Sequence, residues 1–315
     1  MRKIAVLTGP TGTGKSDIAL QLAREWPIEI VSVDSAQVYR GLDIGSAKPD
    51  AETRARVPHH LLDLVEPSAN YSAGQFVRDC IRAIDDIESR GKVPLLTGGT
   101  MLYLRSLIGG ISELPASDDG IRQRLDAEAA AQGWPALHAR LAVVDAAAAA
   151  RIHPNDAQRI QRALEVFEVG GTPISELQRA TKSPLDREFR VVALIPTDRT
   201  RLHESLARRF EQMMAAGFLD EVRRLQGRGD LTDAHPAIRA VGYRQLWAHL
   251  AGACPLDTAV SRAIAATRQL AKRQMTWLRS MPNIHAIDPY DAQRFVGVRE
   301  TLKDVFTTRS GGFPV

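Results

Sequence analysis

Eight residues near the start of the chain, Gly9-Pro-Thr-Gly-Thr-Gly-Lys-Ser16, fit the pattern G-x-x-x-x-G-K-[ST]. The backbone N–H groups of such a loop, with its lysine and hydroxyl, cradle the phosphates of a di- or triphosphate. Gly9, Pro10, Thr11, Gly12, Thr13, Gly14, Lys15 and Ser16 therefore form a candidate diphosphate site. Lys15 adds a point charge, and Ser16 can reach a phosphate-bound Mg²⁺. A second run, Asp34-Ser-Ala-Gln-Val-Tyr-Arg-Gly-Leu-Asp-Ile-Gly-Ser-Ala-Lys-Pro49, opens on a carboxylate. Beside a phosphate loop, Asp34 can hold Mg²⁺ through water or accept a proton from an incoming nucleophile. Its position also allows it to cap the next helix. Gln37 can read a base edge with its amide, or sit solvated on a helix. Gly98-Gly-Thr100 lets backbone approach a ligand and brings a hydroxyl to it, or is only a turn.

Basic residues gather at Gln158-Arg-Ile-Gln-Arg162 and along Arg262–Arg279, a stretch with no acidic residue. Such a stretch suits a polyanion, or forms a solvated face. Within it Trp277 either stacks on a base or packs in the core. From the group Arg201, Arg208 and Arg209, one arginine could reach a leaving diphosphate and offset its charge.

These residues need elements to position them. The loop follows the apolar run Ile4–Thr8 and precedes Asp17–Arg24, which has helical spacing. Ile28–Asp34 reads as a second strand, residues 73–90 as a helix capped at Gly91, and Val93–Thr97 as a third strand. Alternating units of this kind imply a parallel sheet with helices on both faces. Ligands of such sheets sit at the carboxyl ends of the strands, where Thr8–Ser16, Asp34 and Thr97–Thr100 all fall. From about Ile111 to Arg190 the pattern becomes helical and Ala-rich, with helices expected at 121–132, 135–144 and 155–169. That order suggests a helical insertion or a cap. Strand character returns at Phe189–Ile195, and helices are expected from there to a frayed last dozen residues.

Composition narrows the class. The chain has 315 residues, 44% hydrophobic and 25% charged, with a net charge of +4. That is globular and mildly basic, which permits a nucleic-acid partner without proving one. The two cysteines, Cys80 and Cys254, lack partners at metal-ligand spacing, so a disulfide framework or zinc site is not expected. No apolar stretch is long enough for a bilayer, and the loop begins too early to leave room for a leader. A soluble cytoplasmic protein is expected, with nothing that requires more than a monomer. The acidic strand end of mechanical ATPases and the Asn-Lys-x-Asp of GTPases are both missing.

Taken together, these stretches resemble the bacterial tRNA dimethylallyltransferases, also called tRNA isopentenyltransferases. The resemblance rests on six pieces in order: 9–16, 34–49, Gly98-Gly-Thr-Met-Leu-Tyr103, Asn155-Asp-Ala-Gln-Arg-Ile-Gln-Arg-Ala-Leu-Glu-Val166, Arg239-Ala-Val-Gly-Tyr-Arg244 and Lys272-Arg-Gln-Met-Thr-Trp-Leu-Arg279. It implies a P-loop NTPase-like parallel sheet flanked by helices. Residues 1–114 and 190–315 would form the core, and 115–189 an inserted all-helical tRNA-binding domain. It implies transfer of a dimethylallyl group from dimethylallyl diphosphate to N6 of the adenosine 3′-adjacent to the anticodon, in tRNAs reading codons that begin with U. Mg²⁺ is implied as cofactor, and the anticodon stem-loop as partner.

Carried over by position, the catalytic residues would be Asp34, as the base on N6, Thr100 and Arg209, which assists the diphosphate. Asp34, Ser35, Ala36 and Gln37 would contact the target adenosine. Thr100, Arg122, Gln158, Arg159, Ile160, Gln161 and Arg162 would meet tRNA. So would Arg239, Ala240, Val241, Gly242, Tyr243 and Arg244, and Lys272, Arg273, Gln274, Met275, Thr276, Trp277, Leu278 and Arg279. Departures are few. Ser16 replaces a commoner threonine, Arg209-Phe-Glu-Gln-Met213 differs from the usual Arg-Val-Asp-x-Met, and no zinc finger follows. A small-molecule kinase would share the loop and lid but use ATP as donor. A non-catalytic RNA-binding protein would not need Asp34 and Thr100 to converge on the loop.

Overall fold

The structure, a computed structural model, describes residues 3–110, 112, 114–178 and 185–307. Six strands alternate with helices: β1 (Lys3–Thr8), β2 (Ile28–Val33), β3 (His59–His60), β4 (Val93–Gly98), β5 (Glu188–Leu194) and β6 (Ile284–Ile287). The helices before the join are α1 (Lys15–Glu25), α2 (Ala51–Arg56), α3 (Ala73–Ser89) and α4 (Met101–Gly109). Then come α5 (Asp119–Gln132), α6 (Trp134–Val144), α7 (Ala146–Ala149), α8 (Ala157–Gly170) and α9 (Ile174–Leu177). The last group is α10 (Arg199–Ala215), α11 (Phe218–Gly227), α12 (Tyr243–Leu250), α13 (Leu256–Ser280) and α14 (Arg294–Thr307). The chain divides into two compact units. One holds the residues up to Arg105 and from Leu185 onward; the other begins at Ser106 and lies between them.

The first unit is built on one sheet of order β3-β2-β4-β1-β5-β6. Every strand pair is parallel. The apolar runs of β1, β2 and β4 carry no alternation because both faces are covered. Ala5, Leu7, Ile30 and Leu95 pack with α1 and α14 in one core, while Ile4, Val6, Val31 and Leu96 are equally buried. Helix α3 starts at a capping box between Ser72 and Gln75, and it buries Phe76, Val77, Cys80, Ile84 and Ile87. Parallel register sets Thr8 beside Gly98, and Gly98 beside Val33. The loops carrying Gly9, Gly99-Thr100 and Asp34 therefore leave the sheet side by side. A side chain at Gly98 would overlap the Val33 backbone, so only glycine lets these two strand ends come so close.

Two edge strands escape the sequence reading. β3 has two residues, and β6 interrupts the helices expected after β5. Their residues are at most half-buried and too few to show a period of two. The expected frayed end is helical as far as Thr307, and the remainder of it lies outside the described residues.

In the second unit, Leu125, Leu137, Leu141, Ile160, Leu164 and Val166 form a core of their own. Inside it, the wholly buried Glu165 accepts hydrogen bonds from the Asp118 amide (2.9 Å), Arg122 Nε (2.9 Å) and Arg162 Nη1 (2.7 Å). Burial alone would raise the Glu165 carboxyl; Arg162, the amide and Arg122 outweigh it and hold the carboxyl below its ordinary range. Among the described residues no helix is long and apolar enough to cross a membrane.

Candidate active site

The phosphate loop joins the centre of the sheet to α1. Gly12 takes the left-handed conformation at φ +80°, and an added Cβ would stand 2.8 Å from Leu206 Cδ2 on α10. Gly14 precedes α1 and, lacking a side chain, leaves the first-turn amides uncapped. An open helix N-terminus of this kind attracts an anion. Thr13 Oγ1 closes the turn on the Pro10 carbonyl at 2.8 Å. The Lys15 ammonium folds back over the loop and donates to the Gly9 (3.0 Å) and Pro10 (2.7 Å) carbonyls. Burial pushes its pKa from 10.5 down to about 7, the nearby Arg209 charge adds to the fall, and Asp34 opposes it. Arg209 sits half-buried on α10, its own pKa lowered by burial against the pull of Asp34 and Asp17. Among the described residues Arg209 has no ion-pair partner. Two cations held side by side at an open helix end make a site for an anion.

Opposite them stands Asp34. Its Oδ1 accepts from the Ala36 (2.8 Å) and Gln37 (3.3 Å) amides, so it closes a turn rather than capping a helix. No donor among the described residues reaches Oδ2, which is left for a ligand. Thr100 Oγ1 accepts from the Ser35 amide at 3.0 Å and lies 3.3 Å from Ser35 Oγ, tying the β4 loop to the β2 loop. A half-buried carboxylate thus faces a cation pair across the strand ends. That polarity suits proton removal on one side and departure of an anion on the other.

The run after Asp34 is held from far along the chain. On α11, buried Glu221 accepts from the Asp43 (3.1 Å), Ile44 (2.7 Å) and Gly45 (3.1 Å) amides and from Tyr243 Oη (2.6 Å). The Lys48 side chain is fully buried, and its ammonium donates to Tyr39 O (2.8 Å), Asp43 (2.8 Å) and Asp63 (2.6 Å). The specific look of residues 34–49 therefore comes from anchoring a loop as much as from chemistry.

A family model described as IPP transferase matches residues 37–281. This chain belongs to the IPP transferase family. A tRNA dimethylallyltransferase of Alkalilimnicola ehrlichii is 58% identical over 276 residues, covering 88% of this chain and 87% of that protein. The crystal structure of the full-length tRNA isopentenylpyrophosphate transferase from Bacillus halodurans aligns with a TM-score of 0.71 at 32% identity, covering 99% of each chain. A eukaryotic dimethylallyltransferase, seen in crystallographic snapshots acting on tRNA, aligns with a TM-score of 0.81 at 26% identity. That match covers all of this chain and 81% of the other.

Within this IPP transferase the residues expected from the resemblance separate into two sets. On α13, Lys272, Arg273, Thr276 and Arg279 are exposed, as is Arg262 one helical stretch earlier. None of these cations has an acidic partner among the described residues. Arg239 and Arg244 are exposed in the same unit; in the second unit Gln158 and Arg159 are exposed. Ala240 and Val241 are half-buried.

The other set is turned inward. Ile160, Gly242, Tyr243, Met275 and Leu278 are buried. Arg122 and Arg162 are committed to Glu165, and Gln161 donates to Asp126 at 2.7 Å. Trp277 packs beside Met101, Ala193 and Leu278, with the Arg105 guanidinium 5.3 Å from its ring centroid. The Gln37 carboxamide is engaged within the protein. Its Nε2 donates to the Ser46 (3.2 Å) and Ala47 (3.3 Å) carbonyls and its Oε1 accepts from Ser32 (2.8 Å). One acceptor site on Oε1 is all it retains. Arg201 lies over the Tyr290 ring at 4.3 Å and Arg208 is exposed; Arg209 is the arginine of the group that feels Asp34 and Lys15. Glu221 and Lys48 carried no sequence signal of their roles.

Proposed function

We propose that this IPP transferase moves a dimethylallyl group from dimethylallyl diphosphate to N6 of the adenosine 3′-adjacent to the anticodon, in tRNAs reading codons that begin with U. The observation that carries the reading is the convergence of Asp34 with Lys15 and Arg209 at neighbouring strand ends. The donor's diphosphate lies on the loop amides, Lys15 and Arg209. N6 attacks the first carbon of the prenyl group, and the carbon–oxygen bond electrons leave with the diphosphate. Asp34 Oδ2 takes the N6 proton as the new C–N bond forms. The adenine must leave its stack to reach this cleft, since the reacting amine is otherwise shielded by its neighbours.

Mg²⁺ fits the residues present in one way. Among the described residues no three His, Cys, Asp or Glu side chains gather to hold a metal. The Ser16 residue is exposed on the first turn of α1, where its hydroxyl can join diphosphate oxygens and water around the ion. Bound there, Mg²⁺ would neutralise charge on the leaving diphosphate.

The exposed cations of α13 would hold RNA phosphates. Exchanging Lys272 and Arg273 together for glutamate is expected to weaken tRNA binding at least tenfold and to flatten its salt dependence by roughly two phosphate contacts. Filter binding from low to high salt reads both; an unaltered slope would remove this face from the RNA interface. The reaction itself is tested with purified protein, Mg²⁺, dimethylallyl diphosphate and unmodified tRNA, followed by digestion and mass analysis of nucleosides. A five-carbon gain on adenosine is expected. No gain, with ATP turned over on small acceptors instead, would overturn the reading in favour of a kinase.

A further inference from the structure

Gln274 lies in the middle of the basic stretch of α13, yet it is only 8% exposed and points away from the surface that carries Lys272 and Arg273. Its carboxamide bridges two loops. Oε1 accepts from the Thr11 amide at 3.0 Å, and Nε2 donates to the Gly99 carbonyl at 2.7 Å. The fit is tight: a Cβ on Gly99 would fall 2.6 Å from Nε2 and 3.2 Å from the Gly9 carbonyl. The helix is also seated by packing, since Ala271 and Met275 meet Leu202 and Leu206, and Leu206 is the residue against Gly12.

Thr11 lies in the diphosphate loop. Gly99 precedes Thr100, whose hydroxyl holds the Ser35 amide next to Asp34. One amide therefore spans the donor side and the acceptor side of the cleft. We propose that Gln274 is a positioning residue for the transfer, fixing the spacing between the diphosphate loop and the Asp34 side from the helix that grips RNA. This rests on the prenyl-transfer reading, and it assigns Gln274 a role other than touching tRNA. The task needs a donor and an acceptor in one planar group at this length. Glutamate lacks the donor, methionine lacks both, and asparagine is one methylene short.

Gln274→Met keeps the volume and deletes both bonds. Its single-turnover transfer rate is expected to fall about ten- to a hundredfold, the scale of an ångström-sized misplacement of reacting groups. The Kd for tRNA should stay within about threefold and the melting temperature within a few degrees, because packing is kept. Hydrogen exchange at the Thr11 amide should accelerate, since its acceptor is gone. Gln274→Glu retains the acceptor for Thr11; it should keep that amide protected, yet weaken binding of inorganic diphosphate by calorimetry, because a carboxylate then stands beside the loop. A wild-type transfer rate in Gln274→Met would overturn the proposal. So would a rate loss matched by an equal loss of tRNA affinity, which would make Gln274 an RNA contact. If the wild-type protein transfers no prenyl group, the functional reading fails on its own. Exchange at the Thr11 amide in Gln274→Met then still decides whether the bridge organises the loop: unchanged protection would overturn it.

Discussion

Replacing Asp34 by asparagine is expected to lower the single-turnover rate of prenyl transfer by about 10²–10⁴, the usual contribution of a positioned general base. The fold and tRNA affinity should hardly move. Asparagine keeps an oxygen where Oδ1 accepts the Ala36 and Gln37 amides, so the turn at the end of β2 stands. What it loses is the basic oxygen on the ligand side. Asp34→Ala removes the turn closure as well, so any further loss in that variant measures the loop rather than the proton transfer.

A side effect must be held apart. Asp34 is one of the groups that keeps the Lys15 proton on, and its neutral replacement lets the Lys15 pKa drop below about 7. Rates should therefore be followed downward from about pH 7: a loss caused by a neutral Lys15 recovers as the lysine takes its proton at lower pH, whereas loss of the base does not. If the asparagine variant transfers at close to the wild-type rate at pH 6, Asp34 is not the base, and N6 loses its proton elsewhere.

The parts of this site legible in sequence are those whose signal is local. A glycine-rich loop between an apolar strand and a helix, and an acid at the next strand end, need only adjacent residues to be recognised. Parallel pairing then aligns the strand ends without further information. Less legible is anything decided by a partner far along the chain. Glu221 lies 178 residues from Asp43, and Gln274 lies 263 from Thr11, so no spacing rule could pair them. Contiguous segments also mislead on a helix. Residues 272–279 form one run in sequence, but successive residues turn by about 100°. Gln274, Met275 and Leu278 consequently face inward while Lys272, Arg273, Thr276 and Arg279 face water. A buried arginine partner is equally hidden from composition. Arg122 and Arg162 count as basic residues in the sequence, yet Glu165 has already claimed both.

Lys15→Met is expected to reduce transfer by about 10²–10³, the loss found when one preorganised stabiliser of developing negative charge is removed. A proton count separates this role from simple packing. In the free protein Lys15 has a pKa of about 7, because burial first and Arg209 second disfavour its charge. A bound diphosphate reverses that preference. Below pH 7 the lysine is already charged and takes up nothing on binding. Above it the lysine is neutral and must gain a proton, so affinity for diphosphate falls with rising pH from about 7 upward. At pH 8, calorimetry of inorganic diphosphate in buffers of different ionisation enthalpy should show more protons taken up by the wild-type protein than by Lys15→Met. The protonation of free diphosphate is common to both proteins and cancels. Arg209→Met supplies the internal control. It removes the neighbouring positive charge, so the Lys15 pKa should rise and the proton uptake at pH 8 should shrink, even while transfer slows. The two losses should also fail to add in the double variant, because each cation acts on the other as well as on the ligand. Equal uptake in the wild type and in Arg209→Met would mean that the two charges do not share one anion, and the diphosphate would have to be placed on the loop without Arg209.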